Sequence, residues 1–476
     1  MKVAVRMALG SAVLGAGALA AGLYALERIG VTPRALAPYV EKRSSGHNPV
    51  IVGAGQQAAS LLRRLDRGAD AGPLTPDALH ALKLGAQPEA AGSGRPEGVL
   101  VADIRALRAA MAGAAPGTVI TLAPGSYRLG GRPLAADRAG LPDAPVVVRA
   151  AIPGSVAIES GLAEAFRIEA PYWRFENLTI NGVCRRHDDC EHAFHVVGAA
   201  SGFAAVNNTI GGFNAHFKIN GARGRFPDAG LIEANTLFNP APRVTGKPVT
   251  PVDLVAASGW TVRGNIIRDF VKLEGNRVSY GAFAKGGGSG NVFERNLVWC
   301  EREQAGLPGQ RVGLSLGGGG TGRAFCRDGR CITEQEGGVL RANLIVGCSD
   351  AGIYLNSAAG SVVEDNTLVD TGGIEVRFAT SSARLDGNLV DGAIRSRDGG
   401  LLRPGDNRAT ALWQSYLGRH PVRSLFADAA RGDFGWAGAA PARDAVRRAG
   451  ADLCAAARTS VRAYGAFEDF GACRRP

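Results

Sequence analysis

The stretch Glu233-Ala234-Asn235-Thr236-Leu237 recurs in altered form along the middle of the chain. In each copy, an Asn follows a strand-like segment and precedes two or three apolar residues. The other copies are centred on Asn208, Asn265, Asn296, Asn343, Asn366 and Asn388. Most intervals between successive copies are roughly 22 to 31 residues, the range that is typical of solenoid repeats. The repeat therefore predicts an all-β solenoid with one Asn at a corner of each coil.

A parallel β-helix explains why Asn is the repeated residue. Asn tolerates the left-handed backbone conformation of a sharp corner, and Asn side chains stacked along an axis exchange amide hydrogen bonds. An Asn before an apolar pair also occurs by chance in β-rich proteins, but seven in series are hard to obtain that way. The longer interval from Asn296 to Asn343 predicts an insertion.

Composition restricts the partners. The 476 residues include 54 Lys and Arg against 43 Asp and Glu, which gives a formal net charge of +11. A basic surface attracts polyanions such as nucleic acid, acidic polysaccharide or anionic lipid. The basic residues are scattered and no nucleic-acid-binding signature accompanies them, so we expect no nucleic acid partner. We expect a monomer.

The N-terminus predicts export. Lys2 and Arg6 precede an Ala-, Gly- and Leu-rich stretch from Met7 to Leu26, and Ala18-Leu19-Ala20 offers a signal-peptidase pattern. Both a cleaved signal peptide and an uncleaved anchor fit this segment, so attachment to the inner membrane through residues 7–26 stays open. Either way, the rest of the chain is expected in the periplasm or secreted.

Eight Cys residues fit an oxidising compartment. Proximity in sequence suggests the disulfides Cys184–Cys190, Cys326–Cys331 and Cys454–Cys473, and leaves Cys300 with Cys348. An alternative is a zinc site made of Cys184, His187, Cys190 and His192, although no second ligand pair at finger spacing supports it. We interpret His187-Asp188-Asp189 as a solvated loop tip.

We divide the chain into four regions: a signal peptide or anchor (1–30), a helical and linker region (31–100), the β-helix (101–400) and a C-terminal cap or tail (401–476). Gln56 to Arg67 is the clearest amphipathic helix of the second region. Ala102 to Gly113 is apolar at helical spacing and is expected to cap the open end of the first coil.

The coils share one strand that carries polar residues on alternate positions. Its copies are expected at Ala193–Gly198, Ala215–Asn220, Val252–Ala257, Gly281–Gly286, Val312–Gly317, Ala351–Asn356 and Gly373–Phe378. Because strand side chains alternate between faces, an apolar row is expected to point inward. We assign to it Val196, Phe217, Leu254, Ala284, Leu316, Tyr354 and Val376. The outward row holds His195, His216, Lys218, Asn220, Asp253, Lys285, Ser315, Glu375 and Arg377. It is either a polymer-binding groove or merely a solvated face.

The segment Ala115 to Tyr127 after a short helix, followed by Asn-cornered coils, resembles the pectate-lyase-like right-handed β-helix superfamily. The closest resemblance is to polysaccharide lyase family 6, which contains alginate lyases and chondroitin-lyase-B-like enzymes. It covers roughly Ala102 to Arg397 and implies a right-handed coil, as does the general bias of parallel crossovers. It also implies a catalytic Lys at a strand end before a Ser/Gly turn, which Lys285-Gly286-Gly287-Gly288-Ser289 matches.

The chain departs from this family near Lys285. The family's acidic calcium ligands are replaced by Val278, Ser279 and Tyr280, and its Arg-His-Gly on the next coil by Leu316 to Gly320. Ca²⁺ is therefore implied by the resemblance without matching ligands, and no cofactor is assigned. A rearranged site would use His216, Lys218, Asp253 or Arg377 beside Lys285, with His195, Asn220, Ser315 and Glu375 binding substrate.

The leading hypothesis is an exported lyase that cleaves an acidic polysaccharide by β-elimination at a uronic acid, with Lys285 as base. A Lys with a lowered pKa can take the proton at C5 once the adjacent carboxylate is neutralised. The alternatives are a non-catalytic glycan-binding or envelope protein and a glycoside hydrolase. The hydrolase needs a carboxylate pair, for which Asp253, Asp350 and Glu375 are the candidates.

Overall fold

The computed structural model describes residues 30–67, 81–88, 98–318, 320–444 and 450–475, together with Gly17, Ala21, Gly22, Tyr24, Ala25, Glu27 and Leu79. The predicted export signal lies almost entirely outside the described residues. Among the described residues, no helix has the length and apolar character needed to span a membrane.

Three long parallel sheets form the body of the protein, and the chain visits them in a fixed order, once per coil. This is the right-handed parallel β-helix that the sequence predicted. The first sheet contains the following strands, which are numbered in chain order: β1 (Val99–Val101), β2 (Val119–Leu122), β5 (Val146–Ala150), β8 (Trp173–Glu176), β11 (Ala204–Val206), β14 (Leu231–Glu233), β17 (Thr261–Arg263), β21 (Val292–Glu294), β25 (Val339–Arg341), β29 (Ser361–Glu364), β32 (Ser382–Asp386) and β35 (Leu401–Pro404).

The second sheet follows the first around each coil. It contains β3 (Gly125–Leu129), β6 (Val156–Ser160), β9 (Thr179–Gly182), β12 (Thr209–Gly211), β15 (Thr236–Phe238), β18 (Ile266–Arg268), β22 (Leu297–Trp299), β26 (Leu344–Val346), β30 (Thr367–Val369), β33 (Leu389–Val390) and β36 (Arg408–Ala409). A small side sheet holds β20 (Gly288–Ser289), β24 (Gln335–Glu336) and β28 (Ala358–Ala359).

The third sheet carries the predicted polar row. Its strands are β4 (Leu134–Ala136), β7 (Glu164–Ile168), β10 (His192–Val197), β13 (Ala215–Asn220), β16 (Val252–Val255), β19 (Val278–Lys285), β23 (Gln310–Gly317), β27 (Ile353–Asn356), β31 (Gly373–Arg377) and β34 (Ala393–Arg397). Six of the seven residues of the predicted inward row are buried in the core. Tyr354 was wrongly assigned to that row: it pairs with Ser315 and Glu375, while its neighbours Ile353 and Leu355 fill the core.

The Asn residues form a continuous ladder at the corner between the first and second sheets. Asn235 Oδ1, for example, accepts hydrogen bonds from the backbone N–H (2.9 Å) and the Nδ2 (3.0 Å) of Asn208. Asn407 extends the ladder by one member that the sequence pattern did not identify. The left-handed residue at the corner is the one before the ladder Asn, such as Ala234 (φ 54°) or Arg295 (φ 53°). The repeated Asn is thus explained by its side chain and not by its backbone.

Helix α3 (Ile104–Ala112) packs on the first strands, as expected of a cap, and the Asp103 side chain accepts a hydrogen bond from the Ala106 N–H at its start. Helices α1 (Pro33–Ser44) and α2 (Pro49–Arg67) form a hairpin at the other end of the solenoid. There Arg34 pairs with Asp66 and Asp370 in an ion cluster with little exposure to solvent.

The C-terminal region lies along the side of the solenoid. It contains α4 (Leu412–Tyr416) and two antiparallel pairs, β37 (Phe426–Asp428) with β38 (Asp433–Trp436) and β39 (Ala442–Asp444) with β40 (Val461–Ala463). Its apolar residues bury the outer side chains of the second sheet in a separate cluster. That cluster joins Phe426, Phe434, Phe467 and Phe470 to Leu297, Trp299, Leu344 and Val346.

All four predicted disulfides are present: Cys184–Cys190, Cys300–Cys348, Cys326–Cys331 and Cys454–Cys473. The zinc reading of Cys184 and Cys190 is therefore wrong, since both thiols are consumed. The segment His187-Asp188-Asp189 is exposed at Asp189, as expected of a solvated tip, but His187 is anchored: its carbonyl accepts from Arg243 and its ring Nδ1 accepts from the Val244 N–H. Four disulfides are typical of an extracellular or periplasmic protein.

Candidate functional site

The outer faces of the three sheets differ in what they leave available. The later strands of the second sheet are covered by the chain's own C-terminal region, whereas Arg128 on its first strand is exposed. Along the first sheet, acidic and basic residues of adjacent coils pair with each other, as Glu233 does with Arg263 and Glu294 with Arg341. The third sheet carries titratable groups without complete partners, and this makes its outer face the candidate site.

Lys285 lies at the end of β19 on this face. Its Nζ is 4.6 Å from the centroid of the Phe283 ring, and no ion pair or hydrogen bond engages it within the described part of the chain. Burial lowers the pKa of Lys285, and the charge of Lys218 lowers it further, whereas Asp253 and Glu334 act in the opposite direction. A lysine in this setting has a larger neutral fraction than an exposed one, which is what a general base needs.

Lys218 and Asp253 form an ion pair on β13 and β16, the two strands that precede β19 in the sheet. The Lys218 Nζ lies 2.9 Å from Asp253 Oδ2, and the two residues face each other across β13 and β16. Asp253 Oδ1 is buried and has no hydrogen-bond partner in the described residues. An ammonium group has three N–H donors, so Lys218 keeps donors for a ligand after binding Asp253.

His195 is held from both sides. Its Nδ1 lies 2.7 Å from Glu164 Oε1, and its Nε2 lies 2.8 Å from Asn220 Oδ1. Although burial opposes it, the hydrogen bond and charge of His195 lower the pKa of Glu164 to about 2. His195 and Asn220 are therefore hydrogen-bonded to each other. In the register of β10 with β13, His195 lies opposite Lys218.

His192 was not chosen from the sequence as a site residue, yet it lies in the same cluster. Its ring centroid is 5.2 Å from that of His195, and its Nδ1 is buried without a partner among the described residues. Burial and the charges of His195 and Lys218 lower the pKa of His192 to about 4, so the ring is neutral at pH 7. In the sequence it was visible only as one of the possible zinc ligands.

The insertion between β23 and β24 packs beside Lys285. Glu334, which is buried, accepts hydrogen bonds from the Gly286 N–H (2.8 Å) and the Thr321 hydroxyl (2.8 Å). Arg327 lies inside the loop closed by Cys326–Cys331. Its guanidinium group makes a bidentate contact with the Asp228 carboxylate, with N–O distances of 2.7 and 2.8 Å. Nothing in the sequence pattern pointed to Glu334, because an insertion has no register with the repeat.

Some predicted site residues lie on this sheet but are not available to a ligand on its open face. His216 and Ser315 are 0% exposed; the His216 Nε2 bonds the Phe238 carbonyl and the Ser315 hydroxyl donates to the Gly317 carbonyl. Glu375 is buried and pairs with Arg395. Arg377 pairs with Asp398 at 2.6 Å and donates to the Tyr354 hydroxyl at 3.3 Å.

The residues around Lys285 do not fit a calcium ion. Hard cations take six or more oxygen ligands, of which several are carboxylates. The positions upstream of Lys285 are Val278, Ser279 and Tyr280, and Glu274 is exposed on the preceding turn. Within the described ranges, no group of three or more His, Cys, Asp or Glu residues is arranged to hold a metal ion.

Neither a family model nor a curated protein sequence matches the chain. Similar solved structures include pectate lyase Pel9A, at 16% identity over 76% of this chain and 90% of that one, with a TM-score of 0.49. A family 6 polysaccharide lyase from Pseudopedobacter saltans is 12% identical over 66% of this chain and 92% of that one, with a TM-score of 0.35. An alginate lyase from a Paenibacillus species is 15% identical over 66% and 99%, with a TM-score of 0.34. All three identities are 16% or lower, and these likenesses assign no activity to this chain.

Proposed function

We propose that this protein is an exported lyase that cleaves an acidic polysaccharide by β-elimination beside a uronic acid, with Lys285 as the base. The observation that carries the proposal is the setting of Lys285. It is the one Lys or Arg on the described strands of the third sheet without a carboxylate at ion-pair distance, and burial lowers its pKa. The fold supports the proposal by supplying an elongated face across which a polymer can lie.

The reaction uses groups of this chain in the following way. The neutral Nζ of Lys285 takes the proton from C5 of the uronic acid. The electron pair of the C5–H bond forms the C4–C5 double bond, and the C4–O bond breaks. The leaving oxygen takes a proton from solvent. Lys218 binds the substrate carboxylate with its remaining N–H donors, which makes the C5 proton more acidic.

The other residues of the cluster have positioning roles in this proposal. Asp253 orients Lys218 through the 2.9 Å contact, and Glu164 and Asn220 fix the His195 ring beside it. Arg377 lies three strand spacings, or about 14 Å, from Lys285 along the sheet. At that distance, and with Asp398 and the Tyr354 hydroxyl as its partners, it takes no part at the reacting carbon.

The test is an ultraviolet assay for unsaturated uronate products. The purified protein is incubated with alginate, polygalacturonate, chondroitin, hyaluronan and a bacterial exopolysaccharide. We expect the absorbance to rise with one polymer. In Lys285→Arg the rate of that rise should be at least a hundredfold lower, because an arginine stays protonated. Arg128→Gln, at an exposed position on the second sheet, is the matched control. Product formation at an unchanged rate in Lys285→Arg would refute the assignment of Lys285 as the base.

The same panel separates the alternatives. Binding without product would favour the non-catalytic glycan-binding protein. A hydrolase would release reducing ends without absorbance, but its carboxylate pair is hard to find here. The charge of Glu375 acts on Asp350, so these two carboxyl groups are neighbours, but Glu375 is buried and pairs with Arg395. Asp253 and Glu375 lie four strand spacings apart, about 19 Å. Glycosidase carboxylates are separated by about 5 to 9.5 Å.

A further inference from the structure

The outer face of the third sheet is far less basic than the net charge of +11 suggests. Its strands carry seven Lys and Arg residues, all of them within the described ranges. Six of the seven lie at ion-pair distance from an Asp or Glu: Arg167, Lys218, Arg311, Arg377, Arg395 and Arg397. Lys285 is the exception. An arginine that already has a carboxylate must lose it, or share it, to bind an acidic sugar.

Between Lys285 and Arg377, the third-sheet strands β23 and β27 expose no charged side chain to the solvent on the outer face. At the outward positions of β23 and β27 stand Ser315, Gly317, Tyr354 and Asn356. Tyr354 on β27 is partly exposed, as is Tyr280 on β19, the strand of Lys285. Tyrosine rings and amide groups bind neutral sugars by packing and hydrogen bonding and offer nothing to balance a carboxylate.

We propose that the substrate is a heteropolysaccharide in which acidic sugars are separated by neutral ones, with a single carboxylate held at the Lys218–Lys285 cluster. A polymer that carries a carboxylate on every sugar would place several of them over strands on which the described Lys and Arg side chains, apart from Lys285, already have a carboxylate partner. This inference rests on the proposed function, because it assigns the substrate of the same site.

The test measures binding separately from cleavage. Lys285→Arg keeps the positive charge and removes the base, so polymers stay intact during the measurement. Its affinity is determined by titration calorimetry over a range of NaCl concentrations. The acidic polymers are polymannuronate and polygalacturonate, with a carboxylate on every sugar. The mixed polymers are hyaluronan, in which uronate alternates with a neutral sugar, and gellan, with one uronate in each repeat.

We expect Lys285→Arg to bind one of the mixed polymers at least tenfold more tightly than either fully acidic one. The salt dependence of that affinity should correspond to about one ion pair, and adding Lys218→Gln should abolish that salt dependence. Arg128→Gln added to Lys285→Arg should bind as Lys285→Arg alone does. Equal or tighter binding of a fully acidic polymer, a salt dependence of several ion pairs, or binding to none of the four would overturn the inference.

The two proposals fail in different ways. If the binding pattern is as expected and the wild-type protein releases no unsaturated product from any polymer, the lyase is refuted and the substrate class stands. If the wild-type protein cleaves only fully acidic polymers, the lyase stands and the inference about the substrate is wrong.

Discussion

At the scale of single residues, Gly318 decides where the Lys285 side chain lies. A Cβ added at Gly318 would be 2.9 Å from Lys285 Cδ, whereas Gly130 has no heavy atom within 4 Å of such a Cβ. We therefore expect Gly318→Ala to displace the Lys285 amine with little effect on the thermal midpoint, because the lysine chain is flexible. Product formation should fall at least tenfold.

The matched control for this change is Gly130→Ala. Labelling of Lys285 by an amine reagent, followed by mass spectrometry, reports the displacement without relying on activity. An unchanged labelling rate in Gly318→Ala would show that the lysine does not depend on the space above it.

Two histidines predict how stability responds to acid. Burial lowers the pKa of His216 to about 3, and burial with nearby cations lowers that of His192 to about 4. Below the ordinary histidine pKa of 6.5, the unfolded chain binds protons that the folded chain does not bind. The contribution of these histidines to the free energy of unfolding should therefore be fully present above about pH 7. It should fall between pH 6.5 and 4, by up to ~1.4 kcal/mol per pH unit for each histidine.

The measurement is the urea midpoint between pH 8 and pH 4.5. His216→Gln should show a smaller loss on acidification than the wild type, although it is less stable at pH 8. His47→Gln, at an exposed position, should follow the wild-type curve. A loss of the same size in His216→Gln would place the acid sensitivity elsewhere.

At the scale of the element, the Asn ladder joins one coil to the next. The side-chain amide of Asn296 donates to Asn343 Oδ1 and to the Val262 carbonyl, and its Oδ1 accepts two hydrogen bonds from Asn265. Asn296→Ala removes all of these contacts at a position with no exposure to solvent. We expect a loss of about 2–4 kcal/mol, since a buried group left without its partner costs ~1–3 kcal/mol.

Asn407 provides the comparison because it ends the ladder and is only partly buried. Asn407→Ala should cost less than half as much in thermal and urea unfolding. Equal losses at the two positions would mean that the ladder is not a cooperative element.

The insertion is a second element with a measurable property. Arg327 fastens it to Asp228, and the Cys326–Cys331 disulfide closes the loop around Arg327. We expect the double change Cys326→Ser with Cys331→Ser to speed tryptic cleavage within residues 323–330 at least fivefold. Cys184→Ser with Cys190→Ser, which opens the other short loop, should leave that rate unchanged.

At the scale of the whole molecule, the N-terminal hairpin and the last coils form one body. Arg34, with a side chain 5% exposed, binds Asp66, Asp370 and the Cys348 carbonyl. Arg34→Ala removes the buried partner of Asp66, a type of change that costs about 3–5 kcal/mol, while Asp370 keeps Arg67 and Arg423. We expect a lower thermal midpoint and faster hydrogen exchange in the coils near Asp370.

Arg63→Ala is the control within the same hairpin. Arg63 pairs with Glu41 at the surface, where both side chains are more than a third exposed. Such pairs contribute about 0–1 kcal/mol, so the thermal midpoint should stay within a few degrees of the wild type. Equal effects of Arg34→Ala and Arg63→Ala would argue against a docked hairpin.

The coil architecture, its corner residue and its disulfides follow from local and periodic information. The interval between successive Asn residues defines a coil, and alternation along each strand decides which side chain enters the core. These patterns predicted seven of the ten strands of the third sheet. Helical spacing predicted the capping helix, and proximity in sequence suggested the four cysteine pairs. The one error in the inward row, Tyr354, arose because the alignment of that coil was shifted by a single residue, which moves a side chain to the opposite face.

The candidate site depends on contacts that are distant in sequence. Whether Lys218, Lys285 and Arg377 are free or paired is set by carboxylates on other coils, and Glu334 reaches Lys285 from an insertion without periodicity. The face that stays open was likewise decided by where the C-terminal region packs. A repeat records only what each coil shares with the next, so the sequence determined the solenoid by itself. Charge balance and access are properties of particular side chains brought together in space, and only the tertiary structure decided them.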